Sequence, residues 1–576
     1  MGIHVAGVQK AHFGGSAVIT QEMLKEIIEA LPVVTFQKAS DGVPAALVTK
    51  PVSEMKVMPK GNFTLVGAVP MCKEVKLPHK TEIEPSAIHD MVREHVTEPA
   101  ILVRSDPRNE SGESPLLKAL EKYGKPTLPF DPVDLDYIAA DLLAEVKTWK
   151  APMGRRKLTD WEAVFGNEMI DYCDRMNLSA SPGYPYTLSR PSGEKGKAYL
   201  YDAAATNGIR DEYYQYEYER REKLAKQGIR KDSIWTDCLK DERRPLEKIK
   251  AGKTRAFMLP PADYVQLSRK YLMAFCVAFY TNHIKSFSAV GLDPYSYDWT
   301  RLVRKLKRKS AYGFGGDFHS FDGIFDPDIM WRIGKIIDEW YKHNKEDDWE
   351  ETDSVVREVL FQELIHTVHI CLNSVYIKHQ GNPSGNPLTV VVNTFAHCFY
   401  LRLAWLALSR DCGEDASLHL MHRMVAEIYY GDDGLAAIPR EIEDWFNLKT
   451  VSEFLWDYGI EYTSESKDEN LYGVRKLTQC TFLKNGMKKM HGMNIWLAPI
   501  ATDTIFELTN WVRKSDDPIA QLRENLENAL KFAFHHGREF YDSLLMRINE
   551  ALSRKGLMEM STTFDIQERN FLQKCV

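Results

Sequence analysis

Val425-Ala-Glu-Ile-Tyr-Tyr-Gly-Asp-Asp-Gly-Leu-Ala-Ala-Ile438 is the stretch on which the fold turns. Two apolar runs flank Gly431-Asp432-Asp433-Gly434, a pattern that predicts strand, tight turn, strand, with two carboxylates carried at the tip. Alone, an Asp-Gly tip is also what an ordinary hairpin turn uses. A second carboxylate group lies upstream in Tyr312-Gly-Phe-Gly-Gly-Asp317-Phe-His-Ser-Phe-Asp322, read as a short strand closed by Asp317. Carboxylates at strand ends and turns can converge on a pair of divalent cations, which then clamp the attacking and leaving oxygens of a phosphoryl displacement.

Between the two acidic groups lies Gly381-Asn-Pro-Ser384-Gly385-Asn-Pro-Leu-Thr389-Val-Val-Val-Asn393. A Gly/Pro/Ser loop opening a helix presents backbone N–H groups and small hydroxyls that can hold a sugar or phosphate. Thr389 and Asn393, four apart, share one helix face; a simple capped helix start reads the same way. Residues 387–408 continue as a long apolar stretch, predicted to be a buried helix. Upstream, Lys240-Asp-Glu-Arg-Arg244-Pro-Leu-Glu-Lys248-Ile-Lys-Ala-Gly-Lys253-Thr-Arg255 sets seven Lys/Arg against three acids and is broken by Pro245 and Gly252. Cations on an irregular loop suit a triphosphate, Arg as a bidentate fork and Lys as a point charge. A solvated charged loop fits the same run.

Other segments give elements without chemistry. Residues 295–310 place Trp299, Leu302, Val303 and Leu306 on one helical face and Arg301, Arg304, Lys305, Lys307, Arg308 and Lys309 on the other, a solvated basic face. Residues 211–229 predict a charged helix with i,i+4 pairs Glu217–Arg221 and Glu219–Lys223, stopped near Gly228. Beyond about residue 495 the spacing of Ile519, Leu522, Leu526 and Leu530 predicts a helical subdomain. Tyr271–Tyr280, the longest apolar run, is about half the length needed to span a bilayer.

The 576 residues hold 44% hydrophobic and 27% charged residues, a globular composition that excludes a disordered or fibrous chain and predicts several subdomains. Nine cysteines without a CxxC pair argue against a disulfide scaffold or a zinc ribbon. The net charge of −7 at first disfavours a nucleic-acid partner. Its distribution reverses that: bases gather at 240–255 and 301–309, while acids gather in tracts such as 345–353. Basic segments within a mildly acidic whole attract polyanions locally while limiting non-specific sticking.

The order of the four motifs is itself informative: basic loop, Asp317/Asp322 strand, Ser-Gly loop with helix, then the Asp432-Asp433 hairpin. In that order the chain resembles the RNA-dependent RNA polymerases of picorna-like viruses, with the flavour of ifla- and dicistro-like members, from about residue 80 to about 490. Lys80-Thr-Glu-Ile-Glu-Pro-Ser86 is similar to a segment near the fingertips, and Ser181-Pro-Gly-Tyr-Pro-Tyr186 to a template-side loop. The resemblance implies an α/β class with an α+β palm, a right hand of fingers, palm and thumb closed by fingertips. Its divisions are an N-terminal extension at 1–19, fingers at 20–270, palm at 271–365 and 383–492, a fingers insertion at 366–382, and a helical thumb at 493–576.

It further implies roles. Asp317, Asp432 and secondarily Asp433 hold two Mg2+ ions, with Mn2+ as an alternative. Lys240, Arg244, Lys248, Lys253 and Arg255 line the nucleotide channel. Asp322, Ser384, Gly385, Thr389 and Asn393 bind the nucleotide, with Ser384, Asn393 and Asp322 checking for the ribose 2′-hydroxyl, which both donates and accepts. Lys467 protonates the leaving pyrophosphate, and Phe482-Leu483-Lys484 grips the primer. Asn485 departs from the family's usual Arg, and Leu246 stands where some relatives carry a base. The implied partners are RNA template and primer, ribonucleoside triphosphates, a genome-linked protein primer and other viral replication proteins, in membrane-associated complexes of the host cytoplasm. A reverse transcriptase, the nearest alternative, is expected to carry a bulky gate where this chain has Asp322 and Asn393. Gly2-Ile-His4-Val-Ala-Gly7 resembles a strand of the protease that precedes such polymerases, and a plain flexible start reads equally well.

Overall fold

The structure, a computed structural model, describes residues 47–346, 348–467 and 471–575. The Gly2–Gly7 segment lies outside the described residues. Two five-stranded sheets organise the part before the C-terminal helices. The first runs in the order Phe63–Ala68, Ser374–Lys378, Val368–Cys371, Trp235–Leu239, Ala256–Leu259, antiparallel except where 235–239 meets 368–371. It thus knits the chain's early residues to the 366–382 region.

The second sheet carries the acidic motifs. Its antiparallel strands are β1 (Tyr312–Phe318), β2 (Ala426–Tyr430), β3 (Asp433–Ala437) and β4 (Tyr462–Ser464), in spatial order β2-β3-β1-β4, with Arg475–Lys476 pairing the start of β1 as the fifth. Behind and around it lie helices α1 (Ala262–Thr281), α2 (Tyr297–Lys307) and α3 (Thr389–Asp411). Helix α3 is long and apolar enough to cross a membrane by length and composition, but 89% of its most apolar window is buried within the protein. Its apolar surface is core, with Phe395, Phe399, Leu403 and Trp405 packed among the residues of α1 and the sheet. Nearly all-round hydrophobicity in a helix has that meaning inside a large domain.

The C-terminal helices Pro518–Phe534, Arg538–Arg554 and Phe564–Gln573 form a separate core through Leu522, Leu526, Leu530, Tyr541 and Ile548. Ile88 and Val92, more than 400 residues earlier, belong to that core. The link is also made by hydrogen bonds: Ile83–Pro85 pairs antiparallel with Trp511–Arg513, and Ser86 Oγ donates to the Thr509 carbonyl at 2.5 Å. The Lys80–Ser86 segment therefore reaches across and closes the hand onto its helical end.

Four expectations need correction. The pairs Glu217–Arg221 and Glu219–Lys223 do not organise their helix: Arg221 turns inward, donating to Asp263 at 2.9 Å and Glu363 at 2.6 Å, both fully buried. The basic face of α2 is solvated only in part: Arg301, Lys307, Arg308 and Lys309 are exposed, while Arg304 and Lys305 are half-buried. Lys305 donates to the Ser286 and Glu427 carbonyls, and burial brings its ammonium down to about 8. Arg304 donates to Tyr297 and the Asn494 carbonyl, and Lys309 to the His422 and Arg423 carbonyls. Ile519 is exposed, because the apolar stripe of its helix begins at Leu522.

Candidate active site

The hairpin β2–β3 closes with a two-residue turn, Tyr430 pairing Asp433. Gly431 takes the first turn position with φ +63°, the left-handed conformation for which glycine is the least strained choice. Its N–H donates to Thr394 Oγ1 of α3 at 2.9 Å, and its carbonyl accepts from His397 Nδ1 at 3.2 Å, so helix and turn are fixed to each other. Gly434 continues this fit: a Cβ there would stand 2.4 Å from His397 Cε1.

Asp317 and Asp433 are direct cross-strand partners, and Asp432 sits beside them in the turn. The three acids share a poorly solvated neighbourhood. Burial raises the Asp317 carboxyl, lifts that of Asp432 to about 6 and that of Asp433 to about 8, and the neighbouring carboxylates add to the last two. Asp432 stands at the tip with an open surface, so its electrostatic cost is more readily relieved by solvent than that of half-buried Asp433. Hard carboxylate oxygens on a rigid strand pair, each disfavoured as a bare anion, are a donor set suited to divalent cations.

Around the acids, the predicted residues divide. Lys467, 75% exposed, sets its Nζ 3.4 Å from Asp317 Oδ2. Asn393 Nδ2 donates to Asp322 Oδ1 at 3.1 Å, and Asn393 Oδ1 in turn accepts from Asn382 Nδ2 at 2.8 Å. That chain of amides aims Asp322 and Asn393 at one place. Ser384 and Gly385 lie half-buried in the loop ahead of α3, but the Thr389 hydroxyl is used locally, donating to the Asn386 carbonyl at 2.7 Å. Thr389 therefore spends its hydroxyl hydrogen on the loop that leads into its helix.

Of the five channel cations, three gather on one acid. Glu242 receives Arg255 Nε at 2.5 Å and lies 3.6 Å from Lys240 Nζ and 3.9 Å from Arg244 Nη1. Arg255 also feels the charges of Asp432 and Asp322, which places it at the edge of the acidic group. Lys248 sits in the short helix Leu246–Lys250, and Lys253 is exposed; no described contact joins either to the aspartates. Phe482 is buried against Trp299, while Leu483 and exposed Lys484 form a tight turn. The Leu483 N–H donates to Asp433 Oδ2 at 2.6 Å, so this turn is tied to the acidic hairpin. Asn485 is buried, with Nδ2 donating to the Leu483 carbonyl at 2.7 Å and Oδ1 accepting from Tyr295. It shapes the turn from inside.

Two cations escaped sequence reasoning. Lys122, in the segment Glu121–Gly124, has its ammonium disfavoured by burial and lies near Asp322 and Asp432. Lys378 is fully buried, donates to the Gly381 carbonyl at 3.0 Å, and is brought down to about 7 by burial beside Asp322. A lone lysine in a loop and another in an apolar strand carry no sequence signal.

Geometry of this kind defines a palm built for nucleotidyl chemistry, and the comparisons give it a family. The model of the viral RNA-dependent RNA polymerases matches residues 86–553, and the chain belongs to that family. It is 31% identical over 593 aligned positions to the genome polyprotein of rice tungro spherical virus (strain Vt6), covering 98% of this chain and 17% of the polyprotein. Against the replicase polyprotein of cricket paralysis virus it is 30% identical over 582 positions, covering 97% of this chain and 32% of that one. The chain thus spans a third or less of these curated relatives. Among solved structures, a sicinivirus 3Dpol RNA-dependent RNA polymerase superposes with a TM-score of 0.73 at 20% identity, covering 89% of this chain and 99% of that one. The fold is the right-hand polymerase fold, and the lineage is picorna-like.

Proposed function

We propose that the chain copies a positive-strand viral RNA by template-directed nucleotidyl transfer, with Asp317 and Asp432 holding two divalent cations and Asp433 in support. The observation that carries this reading is the register of the central sheet, Asp317 opposite Asp433 with Asp432 in the adjoining turn. When bound, Mg2+ (or Mn2+) lowers the pKa of the primer 3′-hydroxyl and neutralises the departing pyrophosphate. The protein's own groups do the rest. Arg255, free to exchange Glu242 for a triphosphate oxygen, draws the nucleotide in, and Lys122 faces the same space. Asp322 and Asn393 bind the ribose 2′-hydroxyl, one accepting and one donating, which favours ribonucleotides. Lys467, beside Asp317, supplies a proton to the leaving group. The Leu483-Lys484 turn, anchored through Asp433, positions the primer end.

By the same chemistry, the tyrosine hydroxyl of a genome-linked peptide replaces the 3′-hydroxyl at initiation; labelling of such a peptide by UTP on a poly(A) template tests that step. We place the protein with other viral replication proteins in membrane-associated complexes of the host cytoplasm, a reading tested by fractionating infected cells. For the central reaction the test is incorporation of labelled UTP with poly(A) and oligo(U). Wild type should extend the primer, and Asp432→Asn should not.

A further inference from the structure

Where the Lys80–Ser86 segment passes onto the C-terminal helices, the chain turns through His89, Asp90 and His95. Among the described residues these three bring one ligand atom each within 4.8 Å of one another. The Asp90 carboxylate lies 2.9 Å from His95 Nδ1 through Oδ1 and 3.3 Å from His89 Nε2 through Oδ2. For comparison, neighbouring ligand atoms around a tetrahedral zinc ion are about 3.4 Å apart when the bonds are about 2.0–2.1 Å.

Proton bookkeeping makes the cluster more than an ion pair. His89 Nδ1 lies 2.8 Å from the Asn510 carbonyl, and a carbonyl can only accept, so Nδ1 carries the hydrogen. In the neutral ring Nε2 is then a lone pair, and it faces a carboxylate oxygen at 3.3 Å. Two lone pairs opposed at that distance call for a positive centre between them. His95 differs: its Nδ1 lies 2.9 and 3.0 Å from the two Asp90 oxygens, so a metal bound there takes the place of the Nδ1 proton, while its Nε2 stands 3.7 Å from Glu98 Oε1. A ligating histidine whose other ring nitrogen donates to a carbonyl or carboxylate is the usual outer arrangement of a metal site. The three side chains are only 21–38% exposed, which leaves a solvent-side position for a fourth ligand. Both imidazoles also pack edge-on against Trp511, at 4.6 and 5.5 Å, so the cluster is held by the C-terminal unit as well as by its own loop.

We propose that His89 Nε2, Asp90 and His95 Nδ1 bind one Zn2+ ion, water completing the tetrahedron, and that this ion rigidifies the 89–95 loop in the conformation that docks on Asn510 and Trp511. Imidazole with a carboxylate suits zinc, whereas hard Mg2+ prefers an all-oxygen shell. The site is separate from the acidic hairpin and independent of the polymerase reaction.

The test uses the full chain, stripped with a chelator and returned to buffer with millimolar Mg2+, then equilibrated with Zn2+ alone and assayed for bound metal. Wild type should hold one zinc per chain and show a higher thermal midpoint with zinc than without. His95→Ala and the double variant His89→Ala/His95→Ala should lose that equivalent and the shift. Asp90→Asn should weaken binding without straining the loop backbone, because Asn tolerates the left-handed φ of +58° found at Asp90. Glu98→Gln should weaken it roughly 10- to 100-fold through His95. In an Asp432→Asn background the zinc equivalent should remain. Absence of bound zinc in wild type, or a full equivalent retained by the double variant, overturns the proposal; the former leaves a protonated His–Asp–His clasp as the account of the cluster.

Discussion

Asp433→Asn should abolish or cripple synthesis and yet stabilise the metal-free protein, by an amount that grows with pH. Burial, aided by the charges of Asp432, Asp317 and Glu465, holds the Asp433 carboxyl up at about 8, against 3.8 for the free group, even though the Leu483 N–H pulls the other way. Between those two values the native state keeps a proton that the unfolded chain has released. Folding stability therefore falls as pH rises through that window, by up to ~1.4 kcal/mol per unit. Taken in full, the shift sets a bound of ~6 kcal/mol at pH 8. Partial exposure and the mutual relief of three coupled acids reduce this to ~1–3 kcal/mol. Asparagine removes the charge but keeps an oxygen for the Leu483 N–H, so the hydrogen bond is not lost with it. With an unfolding entropy of ~2.1 cal/mol/K per residue, the gain corresponds to about 1–3 °C in the midpoint of a chain this long. Thermal melts in EDTA from pH 5 to pH 8.5 would show it: the variant above wild type at pH 8, with a smaller gain left at pH 5. Adding Mg2+ should raise wild type more than the variant. A difference that stays constant across the series, or a variant less stable at pH 8 than at pH 5 relative to wild type, refutes the reasoning.

Three further outcomes follow from the geometry. Asn393→Ala removes the amide bound to Asp322; hydrogen bonds to charged groups contribute ~1.5–3 kcal/mol, so the kcat/KM preference for UTP over dUTP should fall roughly 10- to 100-fold, and an unchanged ratio in an active variant would count against 2′-hydroxyl sensing. Gly434→Ala forces a methyl within 2.4 Å of the buried His397 ring, so the midpoint should fall by an amount equivalent to ~1–3 kcal/mol and primer extension should drop with it, since Asp433 is the adjoining residue. Arg221→Met leaves Glu363 and Asp263 buried without their shared cation, a loss of ~3–5 kcal/mol that should appear as a lower midpoint and poor soluble yield even though the residue is remote from the aspartates.

The acidic hairpin, the strand of Asp317 and the helix after the Ser-Gly loop were legible because each is local: alternation, a Gly-Asp turn and a long apolar run are written in consecutive residues. The order of those motifs then implied the family, which the family match and the fold bear out. What stayed hidden depends on partners distant in the chain. Lys305 and Arg221 look like solvated cations in their helices, and only the carbonyls of Ser286 and Glu427, or the carboxylates of Asp263 and Glu363, show otherwise. The three-residue pairing of Ile83–Pro85 with Trp511–Arg513 is too short to leave a period in either stretch, though it closes the hand. Thr389 had the right spacing to share a ligand with Asn393, yet its hydroxyl serves the helix start. At Asn485 the departure from the family's Arg has a local reason, since the side chain is buried beneath the Leu483-Lys484 turn and could not carry a charge there without a partner.

The account rests on the Asp317–Asp432–Asp433 centre, and the most direct test is extension of oligo(U) on poly(A) with labelled UTP in Mg2+. Wild type should incorporate label, Asp317→Ala and Asp432→Asn should be silent, and Lys467→Ala should retain slow but measurable synthesis because positioning and charge neutralisation supply most of the catalysis. Undiminished incorporation by Asp432→Asn, or none by wild type with either Mg2+ or Mn2+, would contradict it.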